Sequence, residues 1–250
     1  MRRLPALALL LLAGPLHAQT VEEIVSRYLQ RVGGAERVQA VQSLRRTGRF
    51  YGGGGFEAVV RYENKRPNLV REEFSFGGMT GVNAYDGKAG WKIEPWQGKK
   101  DVEPLGEEEL KQVIEDADFD GPLIHYKEKG NAVELVGTEP VEGTDAYKLK
   151  VTLKAGDVQY FYMDTDYFVP IKIEKTRMIR GAPRESETSL GDYKEVAGVY
   201  FPHSFESGAK GSANRSKIVY DKYEANVPLD DGRFRPPAAT ATATPAGPAK

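Results

Sequence analysis

The run Asp116-Ala117-Asp118-Phe119-Asp120-Gly121 sets carboxylates at positions one, three and five and a glycine at six, which is how a calcium loop begins. Position twelve, where a bidentate Glu closes such a loop, is Lys127, and Glu128 comes one residue late. An ammonium in the ligand sphere repels a cation, so the run reads instead as a helix end turning at Gly121-Pro122. Other chemistries fail on residue inventory. There is no cysteine, which excludes disulfides, thiolate zinc sites and cysteine nucleophiles. Beyond His17 only His125 and His203 occur, and neither His-Glu-x-x-His nor Gly-x-Ser-x-Gly is present. Gly52 to Gly55 leads into a strand pattern rather than a Lys-Ser/Thr helix start, so it is no phosphate loop. Asn214-Arg215-Ser216 matches a glycosylation sequon, a three-residue pattern that arises often by chance. Catalysis by paired carboxylates stays open, because acidic residues are abundant and no pair stands out. No metal, cofactor or catalytic residue is expected.

With 35 basic and 36 acidic residues the net charge is -1, which gives no general electrostatic grip on nucleic acid or an anionic membrane. The start, however, carries an address. Met1-Arg2-Arg3 is basic, Leu4 to Ala13 is apolar, and Gly14-Pro15-Leu16-His17-Ala18 ends in a small residue, so residues 1–18 read as a signal peptide cleaved after Ala18. The apolar run is far short of the roughly 20 residues a spanning helix needs. A soluble protein outside the cytoplasm is expected. Residues 236–250, rich in Pro, Ala and Thr, form a low-complexity tail that cannot bury enough surface to offset its ordering entropy and should be disordered. Residues 20–235 then make one domain.

Hydrophobic periodicity supplies the elements of that domain. Val21, Ile24, Val25, Tyr28, Leu29 and Val32 form a helical stripe that stops at Gly33-Gly34, and a shorter helix runs from Ala35 to about Gln42. From Leu44 the period becomes two. Alternating segments cover 56–63, 68–76, 79–85, 90–94, 132–141, 147–154, 159–163, 170–180, 185–196, 200–207 and 217–226, with Gly-rich turns between them. Such short connections make neighbours antiparallel. A further amphipathic helix, opened by Glu107-Glu108-Glu109 and carrying Leu110, Val113, Ile114 and Ala117, interrupts the meander. The expected fold class is mainly β with α: a curled antiparallel sheet of about eleven strands forming an incomplete barrel, covered by two amphipathic helices.

The segment Tyr85-Asp86-Gly87-Lys88 has hairpin chemistry, and Trp91-Lys92-Ile93 is the returning strand. Trp91 is then either core or cavity wall, and Trp96, beyond Pro95, covers an edge. Lys65-Arg66-Pro67-Asn68-Leu69, then Tyr85-Asp86-Gly87-Lys88 and Trp91 with Pro95 beyond, resemble the paired signatures of the periplasmic outer-membrane lipoprotein carrier family, the LolA-like lipoprotein-sorting proteins. Gly198-Val199-Tyr200-Phe201-Pro202, Val227-Pro228-Leu229-Asp230-Asp231 and Phe234 fit closing strands of broader relatives. The resemblance covers residues 44–96 well and the remainder loosely, and the region from about Gly98 to Gly130 is longer than in the small carriers.

The resemblance implies a LolA-like half-barrel over residues 20–235 whose helices cover an apolar cavity, and no enzyme activity. It implies a lipoprotein or lipid cargo, an inner-membrane donor and an outer-membrane acceptor, no nucleic acid, and action as a monomer. Arg66 would be the latch that bonds the helical lid in the empty state. Candidate cavity walls are Phe56, Val60, Tyr62, Val70, Phe74, Phe76, Met79 and Trp91, each of which would equally suit an ordinary core. Two further readings use the same sequence: an envelope lipid sensor or regulatory binding protein acting through a protein partner, and a hydrolase built from carboxylates.

Overall fold

Thr20 opens the first helix, α1 (Val21–Arg31), with a reciprocal capping box: its hydroxyl accepts the Glu23 amide at 3.2 Å and the Glu23 carboxylate accepts the Thr20 amide at 2.9 Å. Gly33 and Gly34 follow at φ +128° and +88°, and a Cβ on Gly33 would lie 2.3 Å from the Gly198 carbonyl oxygen. That close approach seats the short helix α2 (Ala35–Ala40) on the sheet. The computed structural model describes residues 19–98, 101–179 and 181–237; the expected signal peptide and residues 238–250 of the expected tail lie outside them.

Thirteen strands form one antiparallel sheet: β1 (Ser43–Tyr51), β2 (Glu57–Lys65), β3 (Leu69–Phe76), β4 (Met79–Tyr85), β5 (Gly90–Ile93), β6 (Glu103–Pro104), β7 (Ala132–Val141), β8 (Thr144–Thr152), β9 (Val158–Asp164), β10 (Pro170–Ile179), β11 (Ala182–Val196), β12 (Val199–Ala209) and β13 (Arg215–Ala225). The spatial order is β6-β5-β4-β3-β2-β1-β13-β12-β11-β10-β9-β8-β7. β1 is therefore central, and the chain winds outward to one edge, crosses to the far edge and winds back. The sheet is curled and open, with β6 and β7 as its unpaired edges. The expected eleven strands all occur, and β1 and the two-residue β6 are the additions. Alternation is weak in β1, where Arg45 and Arg46 follow Leu44, and two residues are too few to show a period.

The crossover between the edges carries α3 (Glu107–Ala117), whose first turn is fixed by the Glu109 carboxylate accepting the Gly106 amide at 2.9 Å. Its apolar stripe, Leu110, Val113 and Ala117, packs on Tyr62, Val70 and Tyr85. Beyond it, Leu123 joins Ile24 of α1 over β8 and β9, and Ile124 joins Val38, Val41 and Leu44 under α2. All three helices thus cover one face, here the inner face.

The opposite, outer face is strapped by the C-terminal segment, which ends in a turn at Asp231–Phe234. Trp91, 3% exposed, lies beneath it among Val82, Ala84 and Ile93 and donates its indole N–H to the Phe234 carbonyl at 2.7 Å. Glu63, 1% exposed, accepts Arg45 at 2.8 Å and Arg233 at 2.9 Å, while Lys65 donates to the Leu229 carbonyl at 2.7 Å. Burial alone would push the Glu63 carboxyl up, but hydrogen bonds and charge from Arg233 and Arg45 outweigh it and hold the group below its usual value.

Two outcomes are expected from this strap. Trp91→Ala should lower stability by about 3–5 kcal/mol, and Trp91→Phe by about 1–3 kcal/mol through the unpaired Phe234 carbonyl, both read from urea unfolding midpoints. Because folding favours the ionised form of Glu63, its contribution is present above the usual carboxylate range and is lost as pH falls through the depressed native value. Glu63→Gln should therefore lower stability at pH 7 and flatten the acid limb of the stability curve; an unchanged acid limb would remove Glu63 from that role.

Candidate functional site

Register sorts the inner face of β1 to β4 into rows. Nearest the helices, Leu44, Asn64, Val70 and Tyr85 lie side by side. The next row, two residues along each strand, is Arg46, Tyr62, Glu72 and Asn83. Gly48, Val60, Phe74 and Gly81 follow, and Phe50, Ala58, Phe76 and Met79 form the rim. An apolar row under the helices is thus followed by a polar row and then by an apolar surface running to the open end.

That outer apolar surface is aromatic. Phe74 lies 5.3 Å from Phe50, 6.1 Å from Phe56 and 5.8 Å from Trp96, and Phe56 lies 4.5 Å from Phe76, all between ring centroids. Trp96 reaches this face because Gly81 has no side chain; a Cβ there would lie 2.5 Å from the indole ring. A groove of about 540 Å³ opens beside the cluster, lined by Phe50, Phe56, Phe74 and the β12–β13 hairpin at Ser207 and Ser216. Phe76, Met79 and Trp96 are 44%, 39% and 40% exposed, so among the described residues each keeps a large part of its surface open to solvent. A second groove, about 830 Å³, runs along the C-terminal strap and is lined by Ala40, Gln42, Ser43, Lys65 and Asn226 to Asp230.

The roof over the first two rows is the crossover. One oxygen of Glu115 accepts Gln159 at 2.8 Å, Lys175 at 3.2 Å and Arg177 at 2.8 Å, which ties α3 to β9 and β10. The Asp116 carbonyl accepts the Asn64 amide at 3.0 Å. The Asp116 carboxyl faces the polar row, where burial and the neighbouring Glu115 charge push it up against the pull of Lys175, Arg177 and Arg46. Burial likewise raises Glu72, and the Asp116 charge adds to that.

Arg66 stands at the other end of the roof. Its guanidinium donates to Asp120 at 2.8 and 2.5 Å, to the carbonyls of Val38 and Val41 at 3.0 and 2.9 Å, and sits 4.5 Å from the centre of the Phe119 ring. It therefore joins the end of α2 to the segment after α3. Asp118 is held by Lys129 at 2.5 and 2.7 Å. Two of the three carboxylates of the calcium-like run thus serve different cations while that of Asp116 faces the polar row, and among the described residues no group of three or more acidic or histidine side chains could hold a metal ion. His203 is buried against Tyr223, with ring centroids 4.1 Å apart.

The expected wall residues divide accordingly. Phe56 and Phe74 line the open groove; Phe76 packs against Phe56 and is paired with Met79 at the rim beside it, and Val60 is buried next to Phe74 on the same face. Tyr62 and Val70 lie on the same face but under α3. Trp91 is a correction: the four-residue turn pairs Tyr85 with Gly90, so Trp91 stands opposite Ala84 on the outer face and cannot share a cavity with Phe74. Trp96, expected at an edge, instead packs edge-on against Phe74 beside the groove, and Phe50 lines it.

Comparison with solved structures places this architecture. A DUF1329 family protein from Desulfovibrio piger superposes with a TM-score of 0.61 at 14% identity, covering 86% of this chain and 97% of that one. An outer membrane lipoprotein-sorting protein domain from Vibrio parahaemolyticus gives 0.58 at 13% identity, covering 86% and 97%. A LolA superfamily protein from Nitrosomonas europaea gives 0.56 at 14% identity, covering 88% and 99%. The fold is LolA-like. No family model and no curated protein matches the sequence. What the chain shares with these neighbours is thus the fold.

The roof can be tested directly. Arg66→Ala should cost on the order of 3 kcal/mol, since it leaves Asp120 without its cation. Amides around 38–41 and 118–121 should exchange faster with solvent, with those of α1 unchanged. Exchange that stays unchanged in both segments would mean that Arg66 does not hold the crossover.

Proposed function

We propose that the protein is a periplasmic carrier that binds a lipophilic ligand, lipoprotein acyl chains or another lipid, in the inner-face groove for transfer towards the outer membrane, and that it catalyses no reaction. The observation that carries this reading is the partly exposed apolar surface of Phe50, Phe56, Phe74, Phe76, Met79 and Trp96 on the helix-bearing side of an open sheet. A contiguous apolar surface left open by a folded chain marks a binding site. Further support comes from the Met1–Ala18 segment, which reads as an export signal, and from a neighbour of the same fold described as outer membrane lipoprotein-sorting.

The energetics suit a carrier. Each buried methylene contributes about 0.8 kcal/mol, so about ten of them would supply roughly 8 kcal/mol, on the scale of micromolar affinity. Binding needs few hydrogen bonds; release is the harder step. A roof closed by Arg66 on Asp120 and by Glu115 on Lys175 and Arg177 lies over the rows beyond the open groove, so a ligand that extends beneath it must break polar contacts. It lowers net affinity and makes transfer to an acceptor possible. Arg66 is the latch in this scheme.

Native mass spectrometry of the mature chain, purified from a bacterial periplasm without detergent and followed by solvent extraction, tests the reading. An acylated species near one per chain is expected, reduced at least tenfold by Phe74→Asp. An empty protein that also fails to take up a hydrophobic dye would overturn it.

A further inference from the structure

The polar row beneath the roof is incompletely partnered. Arg46 donates one Nη to Asn64 at 2.9 Å and lies 4.1 Å from the centre of the Tyr62 ring and 5.2 Å from that of Tyr220, but its buried Nε has no hydrogen-bond partner and no carboxylate of the described residues is ion-paired with it. Glu72, two strands away in the same row, and Asp116, above it on α3, are likewise outside every ion pair of the described residues, whereas the adjacent Glu115 takes three donors. All three side chains are only half-buried and Asn83 beside them is exposed, so the row borders open space. The row also abuts the aromatic groove: along each strand the next inner residues are Gly48, Val60, Phe74 and Gly81.

A guanidinium and two carboxylates about two strand spacings apart, roughly 10 Å between backbones, present opposite charges side by side. An oxyanion satisfies a guanidinium best when it accepts charge-assisted hydrogen bonds, and a carboxylate pair is satisfied by an ammonium with N–H donors. A quaternary ammonium has no such donors and would need an aromatic cage. Arg46 already occupies the faces of Tyr62 and Tyr220.

We propose that this row is a headgroup site for a zwitterionic amphiphile, an anionic oxyacid group against Arg46 and a primary ammonium between Glu72 and Asp116, as in a phosphoethanolamine head, with its acyl chain along the aromatic groove. This rests on the groove being the binding site and names its ligand class. The raised carboxyls of Glu72 and Asp116 fit a site whose ammonium partner is absent. An ammonium should lower both on binding, with release of any proton they hold to solvent.

The test uses the mature full-length chain and three lysophospholipids with one identical acyl chain and ethanolamine, glycerol or choline heads, titrated below their micelle concentrations. The ethanolamine lipid should bind at least tenfold tighter than either of the others. Glycerophosphoethanolamine, the head without a chain, should compete at least a hundredfold more weakly, which separates a lipid site from a site for the free head. Asp116→Asn and Glu72→Gln should each lower the ethanolamine preference several-fold, and Arg46→Gln should weaken the ethanolamine and glycerol lipids alike, with hydrophobic dye uptake unchanged in all three. Equal affinity of the wild-type protein for the three heads, with dye uptake intact, overturns the headgroup site and leaves the groove reading standing. Failure of the wild-type protein to bind dye and every lipid overturns both.

Discussion

One carboxylate oxygen of Glu115 receives Gln159, Lys175 and Arg177, and that cluster fastens the crossover helix to strands belonging to the other half of the sheet. The apolar stripe of α3 packs only on the first half, at Tyr62, Val70 and Tyr85. Without the Glu115 cluster the helix would lie on one wing of an open sheet; with it, the crossover spans from one wing to the other. Charged contacts at such a place are easily rearranged, because their Coulombic gain is offset by desolvation, whereas an apolar seam would close the site permanently. The second attachment, Arg66 on Asp120 and on the carbonyls at the end of α2, is of the same chemical kind. Beyond Asp120 the crossover is anchored by apolar packing, Leu123 under α1 and Ile124 under α2.

The outer face shows the opposite economy. Trp91 is sealed by Phe234, and Glu63 is enclosed by Arg45 and Arg233, so the C-terminal segment locks β1, β2, β3 and β5 together from behind. A curled sheet with two free edges has little else to fix its curvature. The inner face differs in that polar contacts at Glu115 and Arg66 join the crossover to its neighbours between the apolar clusters that seat the helices.

Much of this was legible in the sequence. Alternation and Gly-rich turns located eleven of the strands, and the stripe Leu110, Val113, Ile114 and Ala117 located the helix between the two halves, although Ile114 of that stripe is exposed. The assignment of faces failed at one point for a reason the sequence contains. Gly77-Gly78 pairs Phe76 with Met79, so even positions of β3 face odd positions of β4. The four-residue turn at Asp86 then pairs Tyr85 with Gly90 and sends Trp91 away from Phe74. Loop length alone would have fixed this, since register follows from the turns and a shift of one residue reverses every side chain. The polar row was hidden for a different reason. Arg46, Glu72 and Asp116 are far apart in sequence, each reads as an ordinary surface charge, and only strand register and the crossover bring them together.

That row bears on whether the inner face is a filled core or a site. A sheet that needed only a core would carry apolar residues at Arg46 and Glu72, because a half-buried charge outside any ion pair costs free energy that an aliphatic side chain does not. The rows on either side are in fact apolar, Leu44 and Val70 towards the helices, Val60 and Phe74 towards the opening. Departures from such local consistency concentrate where function is carried. The position of this departure matters as much as its occurrence: unpaired charges lie at the closed end of a groove whose open end is aromatic, which is the polarity of an amphiphile laid along the strands with its head under α3. A filled core has no reason to adopt that order, and a carrier of simple hydrocarbon has no use for the charges.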